Sequence, residues 1–269
     1  MIDFSDIEDN RLAGDSPLAC AKLIELRMLR IFDRICQTYK LDYCLAYGTA
    51  LGAVRHGGFI PWDDDIDVAM PLEDYNKFVK IAKEELPEGL CLRTKKDLKL
   101  GLGYGKIFDL KSFYVDGTAP VLKLDEPNGA FLDIFPLRPY RFGRVYLILT
   151  RMTRHAHRVA SSIGEISAAS LFRVCLWRMI KFLIVYPIDI LLRSRNGRWA
   201  CMPQVFGGNT GLVSIAAHFP SARIRFEGFE FSGPRDPHVY LKERYGDYMT
   251  LPPENQRYSH ARVIVPLVS

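Results

Sequence analysis

Four aspartates fall within five residues, at Asp63, Asp64, Asp65 and Asp67, inside an apolar frame of Pro61, Trp62, Ile66, Val68 and Met70. Carboxylates this close repel one another, so packing them together raises their pKa values or costs stability unless a cation joins them. An acidic run is ordinarily a solvated loop, but the flanking apolar residues predict a half-buried position here. Ile66 to Met70 reads as a strand, on which residues two apart share a face, so Asp65 and Asp67 can aim at one ion. Magnesium is the expected ion, with manganese as its substitute. It takes oxygen ligands at about 2.0–2.1 Å and shares its shell with water and phosphate.

A chain of 269 residues, 48% hydrophobic and 25% charged, can bury such a site and is globular in composition. Six scattered cysteines (Cys20, Cys36, Cys44, Cys91, Cys175, Cys201) form no CxxC pair. They read as reduced, mostly buried thiols of a cytoplasmic protein, not as a zinc site or a disulfide frame. The opening residues Met1 to Asp15 are acidic and lack the basic-then-apolar pattern of a signal peptide. The net charge of +5 is uneven. Residues 141–200 hold eleven Arg or Lys against Glu165 and Asp189, a balance of +9; the remaining 25 basic and 29 acidic residues give −4. Any partner drawn by positive charge should meet that segment.

Ser16-Pro17 signals a helix start, and Leu18, Ala21, Leu29, Phe32, Ile35 and Cys36 recur at helical spacing to about Lys40. Tyr43 to Tyr47 reads as a buried strand ending at Gly48, and Thr49 to Val54 as one or two helical turns. A helix opens at Pro71, Glu73 and Asp74 and runs to about Glu85. Strands are expected around Leu90–Arg93, Lys106–Leu110, Phe113–Val115 and Phe131–Phe135. Residues 144–195 read as two or three helices, Arg225 to Phe231 as a hairpin around Gly228, and Asp236-Pro237 as the cap of a helix to Tyr245.

Tyr47-Gly48-Thr49-Ala50-Leu51-Gly52 sets a glycine and a hydroxyl after a strand at a helix start, where backbone N–H groups and the helix dipole can hold a phosphate. Arg55 and His56 follow this turn and Lys106 lies on an expected strand. Each can pair with phosphate, although lone basic residues beside a loop are more often surface charge. Such a turn followed by paired acids is the pattern of the nucleotidyltransferase fold. The stretch YGTALGAVRHGGFIPWDDDIDVAM (Tyr47 to Met70) resembles the signature block of the LicD/fukutin family of phosphotransferases. Two later segments match in order: Phe131 to Leu137, FLDIFPL, and Tyr240 to His260, YLKERYGDYMTLPPENQRYSH. Together they cover under a quarter of the chain.

The resemblance implies an α/β (α+β) fold, a small mixed sheet flanked by helices. The core would occupy residues 1–140 and 201–269, interrupted by a basic helical insertion over 141–200. It implies transfer of a substituted phosphate, phosphocholine as first expectation, from a CDP-linked donor (CDP-choline or a CDP-polyol). The acceptor would be a hydroxyl of a cell-surface or lipid-linked glycan, as in lipopolysaccharide or teichoic acid, and CMP would leave. Asp65, Asp67 and Asp133 become catalytic metal ligands, with Asp63 auxiliary. Gly48, Thr49 and Arg55 meet the donor phosphates, and His56, Lys106, Tyr248, Arg257 and His260 are pocket candidates. Asp133 is also a candidate acceptor for the proton of the attacking hydroxyl. Two other readings use the same residues: a nucleotidyltransferase that releases pyrophosphate, and a non-catalytic glycan-binding protein on a decayed enzyme fold.

Leu171 to Leu192 is the most apolar window, yet it holds Arg173, Arg178, Lys181 and Asp189 and is broken by Pro187. A spanning helix needs about 20 nearly uncharged residues. Residues 144–195 therefore read as a helical insertion packed on the core, or as a peripheral surface for the anionic inner face of the cell membrane. Arginines interleaved with long aliphatics, without exposed aromatics and glycines, argue against nucleic acid.

Overall fold

The computed structural model describes residues 2–94, 97, 104–116, 127–143, 145, 172, 175, 176, 179–194, 196–201, 212–259 and 261–267. The chain forms two compact units, Met1–Leu137 with Ala216–Ser269, and Arg138–Ile215.

In the first unit, helix α1 (Pro17–Thr38) starts where the sequence signals it, Ser16 accepting the Ala19 N–H at 3.2 Å. Its buried stripe includes Ala21, Ile24, Met28, Phe32 and Ile35. Phe32 meets Tyr43 and Phe78 edge-on, each at 4.9 Å between ring centroids. Strand β1 is only Cys44–Leu45. The expected strand stops short because Tyr47 opens helix α2 (Tyr47–His56) with a φ of 42°. Gly57, at φ 73°, closes α2 in the left-handed conformation that favours glycine. Strand β2 (Ile66–Pro71), helix α3 (Leu72–Glu85) and strands β3 (Leu90–Arg93), β4 (Gly105–Asp109) and β5 (Ser112–Asp116) follow the expected positions closely. Strand β6 (Phe131–Tyr140) is longer than expected.

The strands run in the order β1-β2-β6-β4-β3, with β2 and β6 parallel and the other neighbours antiparallel. The parallel pair is buried along nearly its whole length, as parallel strands covered on both faces are. This mixed sheet with helices against it is the expected fold class.

The second unit contains a π-helical turn Lys181–Val185, helix α4 (Tyr186–Leu192) and strands β7 (Trp199–Cys201) and β8 (Leu212–Ser214). Strand β7 pairs with the end of β6 and with β8. Most of the helices expected over 144–195 fall outside the described residues. Among the described residues no helix is long and apolar enough to cross a membrane.

The first unit resumes with α5 (Ile215–His218), mostly within it, and the hairpin β9 (Ala222–Phe226) and β10 (Phe229–Gly233), which turns at Glu227 and Gly228, both at positive φ. Helix α6 (Pro237–Tyr245) is capped by Asp236, whose carboxylate accepts the Val239 N–H at 3.0 Å. Strand β11 (Ala261–Pro266) pairs antiparallel with β5. Cys20, Cys36 and Cys44 are buried free thiols, Cys91 is half-buried and Cys175 exposed.

Candidate active site

Sheet register builds the site. Asp67 lies opposite Asp133 in the parallel pair, Asp133 opposite Lys106 in the next, and Lys106 opposite Arg93 in the next. Residues in register share a face, on strands about 4.8 Å apart. One row across four strands therefore carries two acids followed by two bases. Asp65 precedes β2 and lies close enough to this acidic end to feel the charge of Asp133.

Asp67 and Asp133 are buried, while Asp65 is half-buried. Burial pushes the Asp65 and Asp67 carboxyls well above the usual range, and neighbouring acids, Asp63 and Asp133 among them, add to the shift. Burial also raises Asp133, against the pull of Lys106, whose Nζ stands 2.7 Å from Oδ1 and 3.0 Å from Oδ2. The donor chemistry, all carboxylate oxygen, fits magnesium or manganese. The spacing is not ready-made: among the described residues no three His, Cys, Asp or Glu side chains form a cluster that could hold an ion. A bound ion would have to draw the carboxylates inward against the hold of Lys106.

The glycine turn is tied to the acids from both sides. The Ala46 N–H donates to the Asp67 carbonyl at 2.9 Å, and the Asp67 N–H donates to Thr49 Oγ1 at 2.8 Å. Thr49 is thus buried under the turn, holding the acid strand in place. A Cβ on Gly48 would fall 2.5 Å from Asp63 Oδ2, so only glycine lets that carboxylate close on the helix start. The strained Tyr47 is fixed by α6: its N–H donates to the buried Tyr240 hydroxyl at 2.8 Å, and the Arg244 guanidinium lies 4.8 Å from its ring. Its ring meets Phe135 edge-on at 5.0 Å. Tyr47, Phe135 and Tyr240 come from the three sequence blocks quoted above, and here they touch.

The first two of these blocks lie within a known family domain. Residues 40–159 match the family model described as the LicD/FKTN/FKRP nucleotidyltransferase domain. The lipopolysaccharide cholinephosphotransferase LicD of Haemophilus influenzae is 29% identical over 265 residues, spanning 89% of this chain and 94% of that protein. Over residues 40–159 the chain carries a domain of the LicD family. The ribitol 5-phosphate transferase FKRP of mouse is 30% identical over 163 residues, and its human counterpart 31% over 141. This chain matches only 28% and 24% of their lengths.

The remaining site candidates gather around Trp62. Arg55 donates from Nη1 to the Tyr248 carbonyl at 2.9 Å, and the His56 ring stands edge-on to Trp62 at 6.5 Å. Arg257 lies 5.4 Å from the Trp62 ring and donates from Nε to the Pro252 carbonyl at 2.8 Å. The Tyr248 hydroxyl meets His238 Nδ1. His260 lies outside the described residues. Lys106 belongs to the acidic row and not to this rim.

Two acids carry contacts that the sequence did not signal. Asp64, 1% exposed, accepts from the Tyr114 hydroxyl at 2.8 Å, Ser259 Oγ at 2.9 Å and the Ala261 N–H at 2.5 Å. It fastens the tail over β5 and takes no part in the row. Glu25, also 1% exposed, has no hydrogen-bond partner at either oxygen among the described residues. Burial first, then Asp65, Asp64 and Asp63, hold its carboxyl well above the usual range. Its place on the stripe with Ala21 and Met28 was the available signal, a charge on an apolar helix face.

Proposed function

We propose that this chain is a magnesium-dependent phosphotransferase that moves a phosphorylated alcohol, phosphocholine first, from a CDP-linked donor to a glycan hydroxyl. The observation that carries the reading is the row of Asp67 and Asp133 in register beside the glycine turn. The cholinephosphotransferase similar over most of the chain supports the choice of group. Asp65, Asp67 and Asp133 would hold the cation, with Asp63 beside them. When bound, that ion supplies charge neutralisation of the phosphate oxygens. The Gly48 and Thr49 N–H groups in the first turn of α2, which helix geometry leaves without acceptors inside the helix, meet the donor diphosphate. Arg55 and Arg257 face the donor from the Trp62 rim. Asp133, raised by burial, is the carboxylate that takes the proton of the attacking hydroxyl. The oxygen–phosphorus bond to the acceptor forms as the bond to the leaving CMP phosphate breaks.

The test is incubation with a panel of CDP-alcohols, magnesium and a lipopolysaccharide or lipid-linked saccharide acceptor. CMP release with a phosphoalcohol on the glycan is expected, and it should stop in EDTA. Pyrophosphate release from a nucleoside triphosphate would favour a nucleotidyltransferase instead.

The acceptor reading extends to location: the second unit works peripherally on an anionic membrane, beside a lipid-linked acceptor. Phe182, Leu183 and Leu191 are 71%, 64% and 81% exposed, within a segment of +9 balance. Lipid would cover these apolar groups while the basic residues meet headgroups. The protein is expected to float with phosphatidylglycerol vesicles, to release in high salt and to ignore neutral vesicles. Equal flotation of a Phe182→Ser/Leu191→Ser variant would count against this surface.

A further inference from the structure

The charge order of the four-strand row has a consequence for Lys106. Its ammonium straddles both oxygens of Asp133, and both side chains are largely buried, at 13% and 6% exposure. The Phe131 ring, 3.5 Å away, and the Tyr104 ring at 5.6 Å hold the charge on this face. A divalent ion that takes Asp133 must compete with this ammonium, because two cations held against one buried carboxylate repel each other. A lysine suits exchange: it is a point charge on a flexible stem with three rotatable donors, with no planar fork to lose.

We propose that Lys106 is an internal counter-ion that exchanges with the divalent cation, leaving Asp133 when the cation arrives and passing to a donor phosphate oxygen. The inference rests on the cation-dependent reading above and assigns a positioning role to a residue outside the acid motif. The exchange conserves charge at each step. Asp133 is neutralised by one cation or the other, and the released ammonium finds the anion that arrives with the metal. Binding of cation and donor thereby become cooperative, since the ion frees the group that the donor requires.

The test follows Mn2+ by its free-ion spectrum, without donor, in wild type and in Lys106→Met, with thermal unfolding to verify the fold. Removing the competing charge should tighten Mn2+ binding by about tenfold or more. CDP-choline binding to the Mn2+-loaded variant, read by calorimetry, should weaken by about tenfold. If Mn2+ binds Lys106→Met no more tightly than wild type, the competition is refuted. If Mn2+ binding tightens while CDP-choline binding is unchanged, Lys106 does not pass to the donor and the exchange is refuted. Should Lys106→Met fail to fold, Lys106→Arg decides: a guanidinium grips a carboxylate through two parallel bonds, so Mn2+ should bind more weakly than in wild type. Unchanged or tighter binding there overturns the proposal. Absence of Mn2+ binding in wild type and every variant would instead remove the cation reading itself, and this inference with it.

Discussion

Asp67→Ala and Asp65→Ala proteins are expected to fold normally and to transfer nothing measurable. Asp67 holds its strand through backbone groups, its N–H to Thr49 and its carbonyl to Ala46, and alanine keeps both. The side chain contributes repulsion to a buried acidic cluster, which is why burial and its neighbours push both carboxyls up. Alanine should therefore leave the thermal midpoint of the metal-free protein unchanged or higher. Activity is another matter. A metal at a phosphoryl group contributes several kcal/mol of charge stabilisation, and each 1.36 kcal/mol is tenfold in rate. A loss of about 10³-fold or more in CMP release is expected for each variant. Residual turnover above roughly a tenth of wild type would remove these carboxylates from the mechanism.

The largest effect on stability is expected far from that row. Arg11, 7% exposed, donates to both oxygens of Asp109 at 3.1 and 3.0 Å, to the Lys111 carbonyl at 2.6 Å, and to Asp9 at 2.8 and 2.7 Å. Burial works against its charge, and the two carboxylates overcome that and raise its pKa. Asp109 is 1% exposed. Arg11→Ala leaves that carboxylate buried without its cation, a change that costs about 3–5 kcal/mol. That is about a fifth or more of the stability of an ordinary domain. Urea unfolding measures it. Pairing Arg11→Met with Asp109→Asn should recover much of the loss, because the stranded charge is gone. A cost below about 1 kcal/mol would mean that water reaches Asp109 once the arginine is removed.

These two cases mark how far the sequence could be read. Asp67 falls on the expected strand by local pattern alone, whereas Asp65 precedes that strand, which begins at Ile66. The caps at Ser16 and Asp236 and the turn at Gly228 are equally local, and the structure has them where the residues predict. Tyr47 was drawn into the preceding strand because its apolar character outweighed the glycine beside it; the hydroxyl of Tyr240, 193 residues on, is what holds it in the helix start. Asp133 entered only through likeness to a family, since its partnership with Asp67 depends on register between distant strands. The same register adds Lys106 and Arg93 to the row, which no spacing announces. Arg11 sits in a stretch that reads as merely acidic, and its partner Asp109 is 98 residues away. Local chemistry was legible, and the pairing of distant charges was not.

Asp64 has a bearing on how the protein is made. Tyr114, one of its donors, follows 50 positions later, but the other two, Ser259 and Ala261, are synthesised 195 and 197 positions later. A growing chain thus carries its acidic run for nearly two hundred residues with that latch incomplete, and the edge of β5 waits for β11. Ribosome-bound intermediates should be catalytically silent, and nascent chains halted before residue 259 should be the ones that proteases and chaperones find.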